Sequence, residues 1–330
     1  MAERASGFVL EERPRLGRLR DWVLGVGLLA ALTLVVHYTL GWRALLSPWL
    51  ALSPWLLLWL FSLSALSYGL RAFRVQDYFR PRFAGNFLVV LRLSVLHNTA
   101  NNLLPMRAGE MVFPWLMRRY FGQGFLDAAA ALMWIRVLDL HFLGLVAILV
   151  LSLSHPSWLW WALAILWIAG LSLMVVVAML AESPWFAGAG KIRSTARRVL
   201  AAAPRDPWLV ARVYLWTVLI WVLKLAAFTS VLKFFLPLDL GRLLAGVLGA
   251  ELSSVLPFHG VAGSGSYELA AVAALMPFGI DPKLALAGAV NLHLFLLGVT
   301  LILGGLAFLL PHRTAPAQAV REQAPAASPE

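Results

Sequence analysis

Six stretches of the chain, Trp22 to Leu40, Trp49 to Leu70, Leu126 to Leu153, Trp158 to Ala181, Trp208 to Phe235 and Leu284 to Leu310, are apolar for long enough to cross a hydrocarbon core of about 30 Å as helices. A spanning segment must satisfy its backbone amides internally, which leaves helices and closed barrels. Long continuous runs, without the alternating segments of about ten residues that barrels need, exclude the barrel. The chain therefore reads as an all-α polytopic membrane protein. Trp at or near several run ends fits anchoring at the membrane interface.

Of 330 residues, 61% are hydrophobic and 13% charged. A formal charge of +11 would suggest nucleic acid in a soluble protein. Here the basic residues collect at span ends, where they set orientation and meet anionic lipid headgroups, so no nucleic-acid partner is expected. Lys and Arg concentrate in the N-terminal arm, between Arg71 and Arg82, at Arg118 and Arg119, between Lys191 and Arg205, and in the tail; Arg43, Lys233, Arg242 and Lys283 fall on the other side. That bias predicts both termini in the cytoplasm of a multi-pass inner-membrane protein. Residues 1–21 read as a cytoplasmic arm, 22–310 as a single membrane domain, and 311–330, rich in Ala and Pro, as a disordered tail. Without cysteine there is no disulfide framework and no thiolate chemistry.

Two further apolar regions are broken. The first runs from Phe87 to Leu104, turns at PMRAGE, and returns from Met111 to Phe125 with Arg118 and Arg119 inside the return. The second rises from Leu243 to Leu256, breaks at PFHGVAGSGS and returns from Tyr267 to Ile280. The returning arms are too short to cross alone, which predicts two re-entrant helical hairpins, the first entering from the cytoplasm and the second from outside. Pro105 and Gly109 mark the first break, Pro257, Gly263 and Gly265 the second. Irregular backbone at membrane depth is tolerated where it is buried in protein or lines a cavity.

The two regions echo each other. VLHNTANNLLP, from Val95, aligns with VLGAELSSVLP, from Val247, and the same offset sets Asp139-Leu140-His141 over Asn291-Leu292-His293. One residue out of that register, PWL at Pro54 falls over PWL at Pro207. An odd number of crossings between the copies makes them opposite in orientation: an inverted repeat of about 22–153 and 158–310, each with three spans and a hairpin. Broken helices meeting near the midplane at a repeat interface are a transporter architecture.

Charged and amide side chains inside such a chain are costly and tend to serve function. Asn101, Asn102, Arg107 and Glu110 at the first break, Arg136 in the third span, Lys224 in the fifth, and Ser264 and Glu268 at the second break are the candidate substrate-binding residues. Glu110, Asp139, His141 and Glu268 are candidate proton carriers. The bland readings are that Glu110 and Glu268 cap their own helix starts, with Arg107 neutralising one of them, that Arg136 pairs with Asp139 at i, i+3, and that Lys224 pairs with Glu251. Ser264 and Ser266 are candidate caps for the second restart. His97 and His293 read as satisfied core histidines. No metal-ligand spacing, P-loop or serine-nucleophile elbow is present, so no metal, cofactor or ATP hydrolysis is expected.

NNLLPMRAGE and LPFHGVAGSGSYELAAVAALMPFGI resemble the two signature segments of the lysylphosphatidylglycerol synthase transmembrane region, the flippase-like domain family. Its members include the membrane half of the bacterial multiple peptide resistance factor, proteins from hopanoid clusters and archaeal proteins linked to dolichol glycosylation. The resemblance covers about residues 20 to 310. It implies movement of a phospholipid or polyprenyl-phosphate-linked lipid between leaflets, and carries functional weight onto Asn102, Pro105, Arg107, Gly109 and Glu110, and onto Pro257, Gly263, Gly265 and Glu268. Where many relatives have arginine before the second glutamate, this chain has Tyr267. With no aminoacyl-transferase domain after residue 310, a separate lipid-modifying enzyme would supply the substrate, an anionic or zwitterionic membrane lipid moved passively or with protons. The alternatives are a small-solute or ion transporter, a membrane-embedded transferase acting on a lipid-linked substrate, and an accessory subunit. The near absence of carboxylates outside, where only Asp239 and Asp281 occur, counts against the transferase.

Overall fold

The computed structural model describes residues 19–80, 83–154, 156–180, 182, 190–253 and 260–312. Among them there are helices and no strand. Pro257, the arm through residue 18 and the tail from 313 lie outside the described residues.

Six helices are long and apolar enough to span a bilayer: α1 (Leu19–Thr39), α3 (Pro54–Tyr78), α6 (Phe125–Ser154), the pair α7 (Trp158–Ala169) and α8 (Leu173–Leu180) joined by one 3-10 turn, α10 (Pro207–Phe235) and α13 (Pro282–Ala307). The chain is a multi-pass membrane protein. Several starts share one local device. Ser53-Pro54, Asp206-Pro207 and Asp281-Pro282 each place a capping residue type before a proline whose fixed φ suits the first helical position. Asp206 accepts from the Trp208 amide at 3.0 Å and Asp281 from that of Lys283 at 2.8 Å.

The second span differs from the sequence expectation at both ends. It begins at Pro54 because α2 (Trp42–Leu46) and a 3-10 turn, Ser47–Ala51, occupy the preceding segment. It runs past Leu70 to Tyr78, so Arg71 and Arg74, expected in a cytoplasmic loop, lie on the helix and are buried.

Between the spans sit two helix-break-helix units. In the first, α4 (Phe87–Leu103) leads into the 3-10 stretch Pro105–Met111 and then α5 (Val112–Phe121). Its two ends meet again, with the Phe83 and Phe121 rings stacked at 3.9 Å. In the second, α11 (Leu240–Leu252) and α12 (Ser266–Leu275) pack closely, because Gly246 and Gly249 leave room for Leu275 and the Ala270 backbone. The two breaks touch each other, and α1 touches both. Gly25 of α1 is the contact point: a Cβ there would lie 3.0 Å from atoms of both Pro105 and Val261.

One apolar core joins α10, α11, α12 and α13, and a second joins α3, α4, α5 and the start of α6. Close packing of α3 on α10 holds the two together. The outer helices bury little: α1 encloses 11% of its apolar window, against 56% for α13, so α1 is peripheral and α13 central. The remaining helix, α9 (Lys191–Ala201), is short and basic and carries Arg193, Arg197 and Arg198.

Candidate functional site

A polar cavity of about 240 Å³ lies where α3, α4, α6, α10, α11 and the first break converge. It exists because each of those elements turns polar side chains inward. Tyr68 and Arg71 come from α3, Asn98, Asn101 and Asn102 from α4, Arg107 and Glu110 from the break, Arg136 and Asp139 from α6, Trp221 and Lys224 from α10, and Glu251 from α11.

The break itself is strained. Met106 and Arg107 hold φ of 51° and 58°, the left-handed region that non-glycine residues avoid. Gly109 has no room for a side chain, since a Cβ would collide with the backbone of Ala100 and Asn101. The turn is thereby pressed onto the end of α4, which aims Arg107 and Glu110 at the cavity.

Charges in the cavity form linked pairs. Glu110 bridges Arg107 at 3.1 Å and Arg136 at 3.0 Å, with His97 Nε2 3.6 Å away. Asp139 is gripped by Arg74 at 2.6 and 3.3 Å and accepts from the Trp221 indole at 2.9 Å. Arg136 is only 3.6 Å from Asp139, so the i, i+3 pair expected from sequence is secondary to the Arg74 pair. The expected Lys224 and Glu251 pair forms at 2.6 Å, and the ammonium also sits over the Trp221 and Phe228 rings. Asn102 donates to Thr300 Oγ1 at 2.9 Å and Tyr68 Oη at 3.2 Å, tying α4 to α13 and α3. The carbonyl oxygen of Asn101 is buried without a hydrogen-bond partner among the described residues.

Thus Asn101, Asn102, Arg107, Glu110, Arg136, Asp139 and Lys224 gather in one place, whereas Ser264, Glu268 and His141 do not line the cavity. Glu268 is buried between two partners: it accepts from the Gly265 amide at 2.8 Å, closing the start of α12, and meets His293 Nδ1 at 2.5 Å. Gly265, at φ 85°, takes the N-cap position, not Ser264 or Ser266. Gly263, at φ 78°, ends the preceding 3-10 turn. Tyr267 stacks on His293 with ring centroids 4.5 Å apart. His141 bonds Tyr214 Oη and the Trp167 carbonyl, both at 2.8 Å, and so fastens α6 to α10 and α7.

Tyr68, Arg71, Arg74 and Trp221 escaped the sequence reading. The available signal was a polar stripe on α3: Ser64, Ser67, Arg71 and Arg74 recur at helical spacing, and all four are buried.

Toward its C-terminal end the cavity-lining face of α6 becomes apolar. Arg136, Leu140 and Leu143 line the cavity, and Ala147, Val150 and Leu151 continue the same stripe into a groove of about 840 Å³. Across that groove stand Ala245, Leu248 and Leu252 of α11, and Asp239 and Arg242, paired at 3.1 Å, mark its far end.

A family model described as the lysylphosphatidylglycerol synthase TM region matches residues 22–304. No curated protein and no solved structure matches the chain.

Proposed function

The chain belongs to the lysylphosphatidylglycerol synthase TM region family, and from that premise we propose that it is a lipid translocase, moving a membrane lipid with an anionic or zwitterionic headgroup between leaflets. One observation carries the proposal. A single face of α6 lines first a charged cavity and then an apolar groove, the two environments that a headgroup and its acyl chains need at the same time. A carrier of a small polar solute has no use for the groove.

In this reading the headgroup occupies the cavity between α3, α6 and α10, and the chains lie along α6 and α11. The helix-break-helix units act as re-entrant hairpins and, with their flanking spans, as inverted copies. The contact pattern supports that arrangement: α4 of the first unit packs on α13 of the second half, and α11 of the second packs on α6 of the first. Rocking of one half against the other about the α3 and α10 contact would open the cavity to each side in turn. Movement is passive or coupled to protons, and the protein itself performs no chemistry on the lipid, which another enzyme supplies. The inner membrane, with both termini in the cytoplasm, is the proposed location.

Transbilayer movement of labelled phospholipids and a polyprenyl phosphate in proteoliposomes tests this. Wild type is expected to move one headgroup class selectively. Glu110→Gln, which keeps the side chain's shape but removes the charge between Arg107 and Arg136, is expected to lower the rate by about tenfold or more. Folded wild-type protein that moves no lipid would overturn the proposal in favour of a solute carrier or an accessory subunit.

A further inference from the structure

Of the basic residues facing the cavity, Arg107 and Arg136 share Glu110 and Lys224 holds Glu251. Arg71 is different. It is 7% exposed and lines the cavity, yet its guanidinium makes no hydrogen bond and no ion pair with any described residue. Its Nε is buried without a partner, and the Trp221 ring lies 5.8 Å from its Cζ. Asp139 is already engaged by Arg74 and the Trp221 indole. A buried guanidinium without an ion-pair partner is expensive, and an anion entering the cavity would relieve that expense.

We propose that Arg71 is the phosphate ligand of the cavity, so that the substrate is a phosphate-bearing lipid and Arg71 selects it. This rests on the translocase reading for the lipid, but not for the phosphate. The planar fork of arginine suits two phosphate oxygens at once, a match that lysine's point charge lacks. The Trp221 ring beside the fork is itself held in place, its indole N–H donating to Asp139. Around Arg71 the cluster is net positive: Arg74, Arg107, Arg136 and Lys224 stand against Glu110, Asp139 and Glu251. The other described cations of the cluster are held in ion pairs, and among the described cavity-lining cations Arg71 alone forms none. The same assignment adds to the sequence candidates Arg107, Arg136 and Lys224 an anion ligand from the C-terminal third of α3.

Binding to the purified full-length protein in detergent tests this with three probes: a short-chain phosphatidylglycerol, a diacylglycerol with the same chains, and inorganic phosphate. Wild type is expected to bind phosphatidylglycerol in preference to diacylglycerol. Arg71→Gln is expected to weaken phosphatidylglycerol by about tenfold to a hundredfold, the worth of a charged hydrogen-bonded pair, and to leave diacylglycerol unchanged. Arg71→Lys is expected to recover part of the loss. Equal binding of the two lipids by wild type overturns the proposal without need of any variant, and so does a folded Arg71→Gln that binds like wild type. If inorganic phosphate binds as tightly as the lipid and depends on Arg71 to the same degree, the phosphate assignment stands and the lipid source falls. Phosphate-selective binding with no transbilayer movement would uphold Arg71 while overturning translocation; movement indifferent to phosphate would do the reverse.

Discussion

Asp139 is a residue whose partner differs from the one the sequence offers. In sequence it reads either as a proton carrier or as the partner of Arg136, but the fold surrounds it with Arg74, the Trp221 indole and, more distantly, Arg136. Both side chains of the Arg74 and Asp139 pair are about 5% exposed or less, so losing one strands the other in low dielectric. Asp139→Leu is expected to destabilise the protein by about 3 to 5 kcal/mol, and Arg74→Met with Asp139→Leu to restore most of that loss, because the penalty comes from the stranded charge. Thermal unfolding of the two variants in detergent checks this; equal instability of both would mean that the pair itself, not its imbalance, supports the fold. Glu268 follows the same logic. Its position just after GSGS was legible as a helix-capping glutamate, and the Gly265 amide confirms that use, but the His293 partner 25 residues on could not be found from spacing.

Helix existence was legible and helix ends less so. The six spans declared themselves by run length, whereas the second span was cut short at Leu70 because Arg71 and Arg74 resemble a positive loop when the partner across the bundle is invisible. Pro54, Pro207 and Pro282 marked helix starts openly in the sequence, each after a capping residue. The breaks in the helix-break-helix units were legible from Pro and Gly; their mutual contact, and the way α1 touches both, belongs to tertiary packing. Two glycines on α1 separate those effects. Gly25→Leu drives a side chain into Pro105 and Val261, and is expected to cost about 1 to 3 kcal/mol as overpacking. Gly27→Leu, in the same helix with nothing within 4 Å, is expected to be neutral or to stabilise by up to about 1 kcal/mol through helix propensity. Equal melting temperatures for the two would remove α1 from its place over the breaks.

At the scale of the whole molecule, function depends on whether the two units enter from opposite faces. The proposed repeat is sparse in sequence, and the matched positions sit in different surroundings: Asp139 pairs with Arg74, whereas Asn291 accepts from the Trp49 indole at 2.6 Å. The order of elements is compatible with it, since α3 to α6 and α10 to α13 each run through span, broken pair and span. Inversion makes a parity prediction that no parallel duplication shares. The ends of the first unit, near Ala84 and Arg119, must face one side of the membrane together, and those of the second, near Leu240 and Lys283, the other side. All four positions are exposed and the chain has no cysteine, so single cysteines there report directly to an impermeant thiol reagent added outside or only after permeabilisation. Ala84→Cys and Arg119→Cys are expected to label only after permeabilisation, and Leu240→Cys and Lys283→Cys in intact cells. If the members of either pair label from different sides, that unit crosses the membrane and does not re-enter. If all four label from one side, the copies are parallel, and alternating access by exchange of two inverted halves is lost with them.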